Sequence, residues 1–227
     1  MYFDKFIGID WSGDKNSFQK GISVAECIKG NKVPQIVKPL DHKYWTRTTL
    51  IEWLHKEIKS QRNLIGFDFA FSYPFYDKFC YFPGIKDSPI NSEKLWKLIE
   101  DKNTNAKNFY GGNIWASKTY GKFFNSPKLK GSHFASRRRC TERFAKKKML
   151  SPSPTFNCIG PGGVGTGTLA GMRILNSLKN KTKIWPFDDL NFSTKNVVVE
   201  IFPSYYFRLS KIKPEKKEDV AVNVSII

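Results

Sequence analysis

The sequence predicts an α/β fold in which helices flank a mixed β-sheet. Apolar runs of strand length dominate the first 40 residues, with turn-forming residues between them. A segment with helical periodicity then leads to a fourth apolar run, and strand-like and helix-like segments alternate again near the end of the chain. Strands joined by a tight turn pair in antiparallel fashion, whereas strands joined through a helix pair in parallel, so this order predicts a mixed sheet.

The individual elements follow from local pattern. Strands are predicted where short apolar runs are bounded by turn residues, at 5–11, 21–28, 32–38, 63–70, 183–187 and 196–202. A helix is predicted over 46–60, because its apolar residues lie on one face and Thr46 or Thr48 can cap its N-terminus. Further helices are predicted over 91–101, 134–150, 166–178 and 204–211.

The 227 residues are interpreted as a single domain, since the length suits one sizeable core. Residues from about 102 to 155 interrupt the α/β order after the fourth strand and are interpreted as an insertion, first aromatic and then strongly basic. Its aromatic side chains could stack on unpaired bases but are expected mainly to pack the insertion itself. They are Phe109, Tyr110, Trp115, Tyr120 and Phe123.

The charge balance points to an acidic partner. There are 38 Lys and Arg residues against 20 acids, a net charge of +18. Such an excess attracts polyanions and suits nucleic acid better than a neutral substrate. Most of the cations are Lys, however, and a Lys-rich composition can also reflect the composition of the genome.

No apolar run approaches the roughly 20 residues that a membrane span needs. Asp4 and Lys5 interrupt the N-terminal apolar segment, so it does not have the pattern of a signal peptide. A cytoplasmic protein is therefore expected. The four cysteines are widely spaced and form no zinc-binding pattern, so buried free thiols are expected.

Three acids stand alone within or at the end of strongly apolar strand candidates: Asp10, Asp68 and Glu200. A carboxylate in such a position is costly unless it meets a cation, a metal ion or good hydrogen-bond donors. Together they suggest a site for Mg²⁺ or Mn²⁺, which take oxygen ligands. Individually, Asp10 could cap a turn, Asp68 could pair with a buried Arg or with backbone amides, and Glu200 could face solvent on an edge strand.

Several motifs together resemble a family of uncharacterised predicted nucleases with an RNase H-like fold. The motifs are GIDWSG at 8–13, GFDFAFSYP at 66–74 and VVVEIFPSYYF at 197–207. Two further segments fit the resemblance, TERF at 141–144 and the glycine-rich run at 160–175. The motifs occur in the family's order and span nearly the whole chain; Ser12 and Glu142 belong to them.

The resemblance implies a five-stranded mixed sheet whose first three strands are antiparallel. It also implies that Asp10 on the first strand and Asp68 on the fourth are neighbouring metal ligands and catalytic residues, with Glu200 as a third carboxylate. RNase H-like enzymes usually take one more acid from a C-terminal helix. Asp219 is the candidate for that ligand, although the helix is expected to be short or missing.

Half of the 8 Arg residues fall in one short basic stretch, and with Lys147 they are predicted to contact phosphate: Arg137, Arg138, Arg139 and Arg143. The alternative is a solvated helix face. Residues 165–170 satisfy G-x-G-x-x-G/A, but no buried strand precedes them, so a dinucleotide site is rejected. Thr166 and Thr168 at this helix start could bind phosphate, or the glycines could serve close packing.

These observations favour a metal-dependent nuclease or phosphodiesterase that uses Mg²⁺ or Mn²⁺ on nucleic acid, either DNA or RNA. A second hypothesis is a nucleic-acid-binding protein that has the same fold without catalysis. A third is an ATP-binding protein of the actin-like or sugar-kinase type, since those proteins share the core and GIDWSG is similar to their first phosphate loop.

Overall fold

The computed structural model describes residues 2–30, 33–148, 150–160 and 162–210, with side chains up to 208. They fold into two compact units, one formed by the described residues up to 69 and from 177 onward and the other by the described residues between 70 and 176. The insertion predicted at 102–155 lies inside the second unit. Asp219 lies outside the described residues.

The first unit contains a mixed sheet in the order β3-β2-β1-β4-β6-β5. The first three strands pair in antiparallel fashion, and β1, β4, β6 and β5 run parallel to one another. The α/β class and the antiparallel first three strands are thus confirmed, but the sheet has six strands because β5 adds an edge. The strands are β1 Lys5–Asp10, β2 Ser23–Ile28, β3 Gln35–Val37, β4 Asn63–Phe67, β5 Lys183–Trp185 and β6 Val197–Glu200.

One face of this sheet forms the core of the first unit. Residues in register on neighbouring strands share a face, and seven apolar side chains related in this way are each at most 1% exposed. Their burial fixes the register of the strands, because a slip of one residue would move the apolar side chains of a strand to the opposite face of the sheet. The seven are Ile7, Ile9, Val24, Ile65, Phe67, Ile184 and Val198.

Helix α1, Arg47–Ser60, begins at the predicted cap. The Thr46 hydroxyl accepts a hydrogen bond from the Thr49 backbone N–H at 3.0 Å, and the Thr49 hydroxyl accepts one from the Thr46 N–H at 3.1 Å. The buried Lys5 of β1 pairs at 2.8 Å with Glu57 of α1 and with Glu26 of β2. Burial opposes the charge of Lys5, but the two carboxylates outweigh it and raise the pKa of this amine. Helix α5, Pro203–Ser210, also belongs to this unit.

The second unit consists of helices and irregular chain around an aromatic core. Tyr73 stacks on Phe156 with ring centroids 4.2 Å apart, and Phe82 and Phe124 meet them edge-on. The insertion aromatics named above are buried or half-buried, so they pack the unit as expected. The helices are α2 Ser92–Lys102, α3 Cys140–Lys147 and α4 Gly165–Leu178, which ends in the first unit, with short 3₁₀ helices at Gly112–Ala116 and Gly121–Phe123.

Helix α3 is much shorter than the predicted 134–150 segment. It begins where the Glu142 carboxylate accepts the Arg139 backbone N–H at 3.0 Å, which satisfies a donor at the helix start. The residues before it are not helical.

Among the described residues, no helix combines the length and the apolar character required to cross a membrane. All four cysteines are free, with Cys27 and Cys158 buried as expected and Cys140 exposed.

Candidate functional sites

Asp10 and Asp68 lie side by side at the centre of the sheet. Asp10 is the last residue of β1, and Asp68 follows the last residue of β4. These strands are parallel with Ile9 opposite Phe67, and the Asp68 backbone N–H donates to the Ile9 carbonyl at 3.0 Å. The sequence-predicted pair of acids is therefore brought together at the carboxyl ends of two central strands, where open α/β sheets bind ligands.

On the face of the sheet that carries these acids, β1 and β4 each have a glycine. Side chains alternate along a strand, so Asp10 shares a face with Gly8 and Asp68 with Gly66. Gly8 and Gly66 are register partners. Glycine in a strand interior is typical of places where a ligand or another backbone approaches closely, and here a pair of glycines precedes the pair of acids.

Burial, first, and then the nearby carboxylates of Asp10 and Glu200 together raise the pKa of Asp68 to about 7. No cation is among the causes of this shift. Asp10 and Glu200 therefore repel the Asp68 carboxylate in a largely desolvated place, and a bound cation would relieve that repulsion.

Glu200 differs from the other two acids in its place on the sheet. It ends β6 in register with Phe67, so the alternation of β6 places it on the face opposite to Gly66 and Asp68. Within the described residues, no group of three or more His, Cys, Asp or Glu side chains is arranged to hold a metal ion. Two carboxylates are still a sufficient protein contribution for Mg²⁺, which keeps several waters and takes substrate phosphate oxygens.

The loop after β1 is held by Arg47, a residue that the sequence interpretation missed. Arg47 has no exposed surface and donates to the Ser12 carbonyl at 2.8 Å and the Asp14 carbonyl at 2.7 Å. The Gln19 side chain also accepts from it, at 3.1 Å. Ser12 thus contributes its backbone carbonyl to a clamp that fixes the chain immediately after Asp10, and its hydroxyl accepts the Asp14 N–H at 3.2 Å.

The second unit contains an open basic cavity of about 650 Å³. Most of the predicted phosphate contacts line it, together with Lys146 and one acid. Asp77 is balanced by Arg137, with Nη2 of Arg137 2.7 Å from the carboxylate, so the remaining cations give the cavity its positive potential. The lining residues are Asp77, Ser136, Arg137, Arg138, Arg143, Lys146 and Lys147.

The arginines of this stretch have different roles. The guanidinium of Arg137 is fully engaged, because it donates to both Asp77 oxygens and to the carbonyls of Pro74, Cys80 and Tyr81 at 2.6–2.9 Å. It is therefore a structural residue that fixes the loop at 74–81.

Its neighbours in sequence divide between structure and the cavity. Arg139 pairs with the buried Glu142 at 2.7 Å, which anchors α3. Arg138 donates to the Pro152 carbonyl. Arg143, Lys146 and Lys147 project from α3 into the lining of the cavity, and they are the residues best suited to bind phosphate.

Thr166 and Thr168 at the start of α4 are engaged in local hydrogen bonds. Thr166 donates to the Cys158 carbonyl at 3.3 Å, and Thr168, which has no exposed surface, donates to the Val164 carbonyl at 3.0 Å. A Cβ atom on Gly165 would lie 2.6 Å from the Cys158 sulfur. These contacts favour close packing over phosphate binding as the reason for this glycine-rich sequence.

Comparisons with models of protein families, with curated proteins and with solved structures found no match to this chain. The case for a function therefore depends on the two sites themselves.

Proposed function

We propose that this protein is a metal-dependent nuclease or phosphodiesterase that acts on nucleic acid, in which Asp10 and Asp68 hold Mg²⁺ or Mn²⁺. The observation that carries the proposal is the adjacency of these acids at the ends of β1 and β4, where burial and the other carboxylates raise the pKa of Asp68 to about 7. A carboxyl group whose pKa is raised by burial and by neighbouring carboxylates is more typical of a functional site than of a structural contact.

The chemistry divides between the protein and the ion. When bound, the ion would polarise the phosphodiester and assist the attack of water. Asp10 and Asp68 would fix its position, and the Arg47 clamp would hold the chain that follows Asp10 so that this ligand keeps its orientation. Glu200 lies on the sheet face opposite to Asp68. It would act through its charge, by strengthening the negative potential that attracts a cation.

The cations of α3 would supply affinity for the polymer. Arg143, Lys146 and Lys147 line one cavity, and Arg and Lys side chains are suited to the phosphate backbone that dominates nucleic-acid affinity. We also propose that the protein is cytoplasmic, since nucleic acid, its proposed substrate, is found in the cytoplasm.

The test is Mn²⁺-dependent cleavage of a panel of labelled DNA and RNA, single- and double-stranded, by the wild type and by Asp10→Asn and Asp68→Asn variants. We expect cleavage that requires the ion and that falls at least 100-fold in both variants, and only a partial loss in Glu200→Gln. Asp189→Asn, which changes an exposed acid of the same unit, is the matched control. Absence of cleavage by the wild type, or cleavage that persists in both Asp variants, would refute the proposal.

A non-catalytic nucleic-acid-binding protein is the second candidate. It is favoured by the basic cavity, which needs no metal to bind phosphate. The same panel separates the two, because this candidate predicts binding in EDTA and no cleavage with any ion. Binding of ATP in place of a polymer would instead support the actin-like or sugar-kinase hypothesis.

A further inference from the structure

Two aromatic side chains are exposed on the loop that contributes Asp77 to the lining of the basic cavity. Tyr76 is 70% exposed and Phe79 is 74% exposed, and their ring centroids are 5.6 Å apart. Between them in sequence lies Asp77, which lines the cavity. Neither aromatic residue was predicted as a site residue from the sequence. Large apolar side chains exposed as a neighbouring pair are typical of binding surfaces.

The loop that carries these rings is held in a fixed shape. Arg137 donates to Asp77 and to three carbonyls on either side of it, so one largely buried guanidinium joins both ends of the loop at 74–81. Phe79 has a φ of +51°, a backbone conformation that non-glycine residues rarely adopt. Strain of this kind persists only where the surroundings enforce it, and it occurs preferentially at functional sites. The two rings are therefore presented to solvent by a rigid frame.

Helix α3 adds a third exposed ring next to the cations. Phe144 is 59% exposed and follows Arg143, which lines the cavity, while the Lys148 amine lies 5.9 Å from the centre of the Phe144 ring. The surface thus combines aromatic faces with side chains that bind phosphate. Proteins that bind single-stranded nucleic acid use this combination, because unpaired bases stack on aromatic rings while the backbone follows a positive groove.

We infer that the loop at 74–81 and helix α3 form a binding surface for single-stranded nucleic acid, in which bases stack on Tyr76 and Phe79 and phosphates enter the basic cavity. A duplex would gain little from these rings, because its bases already stack on one another and are not available as separate faces. The inference deepens the proposed function and rests on it for the identity of the polymer, since it names the single strand as the form that is bound.

The experiment is fluorescence anisotropy of the 227-residue protein with a labelled 12-nucleotide single strand, with the corresponding duplex, and with inorganic polyphosphate. EDTA is present throughout, so the measurement does not depend on cleavage. We expect the wild type to bind the single strand more tightly than the duplex. The Tyr76→Ala/Phe79→Ala double variant should bind the single strand about tenfold or more weakly, in line with the loss of base stacking, and should bind polyphosphate as the wild type does.

Two further variants make the outcome decisive. Phe192→Ala removes an 89% exposed ring of the first unit and should leave all affinities unchanged. Tyr76→Leu/Phe79→Leu keeps the apolar character of the loop without the aromatic faces and should bind as weakly as the alanine variant, with circular dichroism used to verify that both are folded.

Equal affinity of the wild type for single strand and duplex would overturn the inference, as would single-strand binding that both double variants retain. A surface that serves a protein partner instead would give this second result. Failure of the proposed nuclease activity is a separate outcome, because it would appear as absent cleavage while the preference for the single strand in EDTA persisted.

Discussion

Asp68 connects the candidate active site to the stability of the protein. Its pKa is raised from 3.8 to about 7 by burial and by two carboxylates. Between these pH values the native state retains a proton that the unfolded state has released, so the free energy of unfolding falls as the pH rises through this window. A residue that destabilises the fold at neutral pH is more consistent with a functional requirement than with a structural one.

Replacement of Asp68 by Asn should therefore stabilise the protein at pH 8, on the order of 2–4 kcal/mol. The gain should disappear below pH 4, where Asp68 is protonated in both states. Chemical denaturation at a series of pH values measures the effect, with Asp189→Asn as the control for the loss of one exposed acid. Addition of Mg²⁺ or Mn²⁺ at pH 8 should raise the melting temperature of the wild type and not of Asp68→Asn. A variant that is less stable than the wild type at pH 8 would show that the carboxylate has a structural partner.

At the scale of elements, the sequence predicted the sheet well because its signals are local. Strands such as β1 and β4 are nearly continuous apolar runs, and α1 begins at a threonine that caps it, so their bounds could be predicted to within a few residues. The acids of the site were recognised in the same way, since a carboxylate at the end of an apolar run is anomalous within its own segment.

The features that the sequence did not predict depend on contacts between distant residues. The 134–150 segment has a helical composition. The guanidinium of Arg137, however, forms hydrogen bonds to a loop that lies about 60 residues earlier, and helix α3 begins only after Arg137. Arg47 likewise acts on residues 33–35 positions away in the chain. No local pattern in this sequence reveals such partners.

The stability of the loop at 74–81 should depend on the hydrogen-bonding geometry of the Arg137 side chain and not only on its charge. Lysine keeps the charge but cannot donate to Asp77 and three carbonyls at once, so Arg137→Lys should lower the free energy of unfolding by ~2–4 kcal/mol. Arg143→Lys, in the lining of the same cavity, should change it by less than about 0.5 kcal/mol. Urea denaturation of both variants and of the wild type measures these changes in the free energy of unfolding.

The pH dependence gives this prediction a second test. Arg137 holds the pKa of Asp77 below its usual value, so the stabilisation from this pair is present at neutral pH and is lost as the pH falls through the native pKa. The difference between Arg137→Lys and the wild type should shrink accordingly in acid. An effect of equal size at both arginines would mean that the hydrogen bonds to the loop do not stabilise it.

At the scale of the whole molecule, the net charge of +18 and the basic cavity make different predictions about salt. If the charge acts diffusely, any two lysines or arginines should contribute equally to nucleic-acid binding. If phosphates occupy the cavity, each contact there releases a counterion, and the logarithm of the binding constant for a single strand falls with the logarithm of salt concentration by about 0.7 per contact.

The decisive comparison is between two double variants that each remove two positive charges. Arg143→Gln/Lys147→Gln changes the cavity, whereas Lys20→Gln/Lys56→Gln changes exposed lysines of the first unit. Single-strand binding between 50 and 200 mM salt should show a slope reduced by about 1.4 in the cavity variant and nearly unchanged in the other. Equal reductions of the slope in both double variants would assign the affinity to the net charge and leave the cavity without a specific role. A reduction confined to the cavity variant would locate the phosphate contacts on α3, because only there do the removed charges lie together in one concave surface.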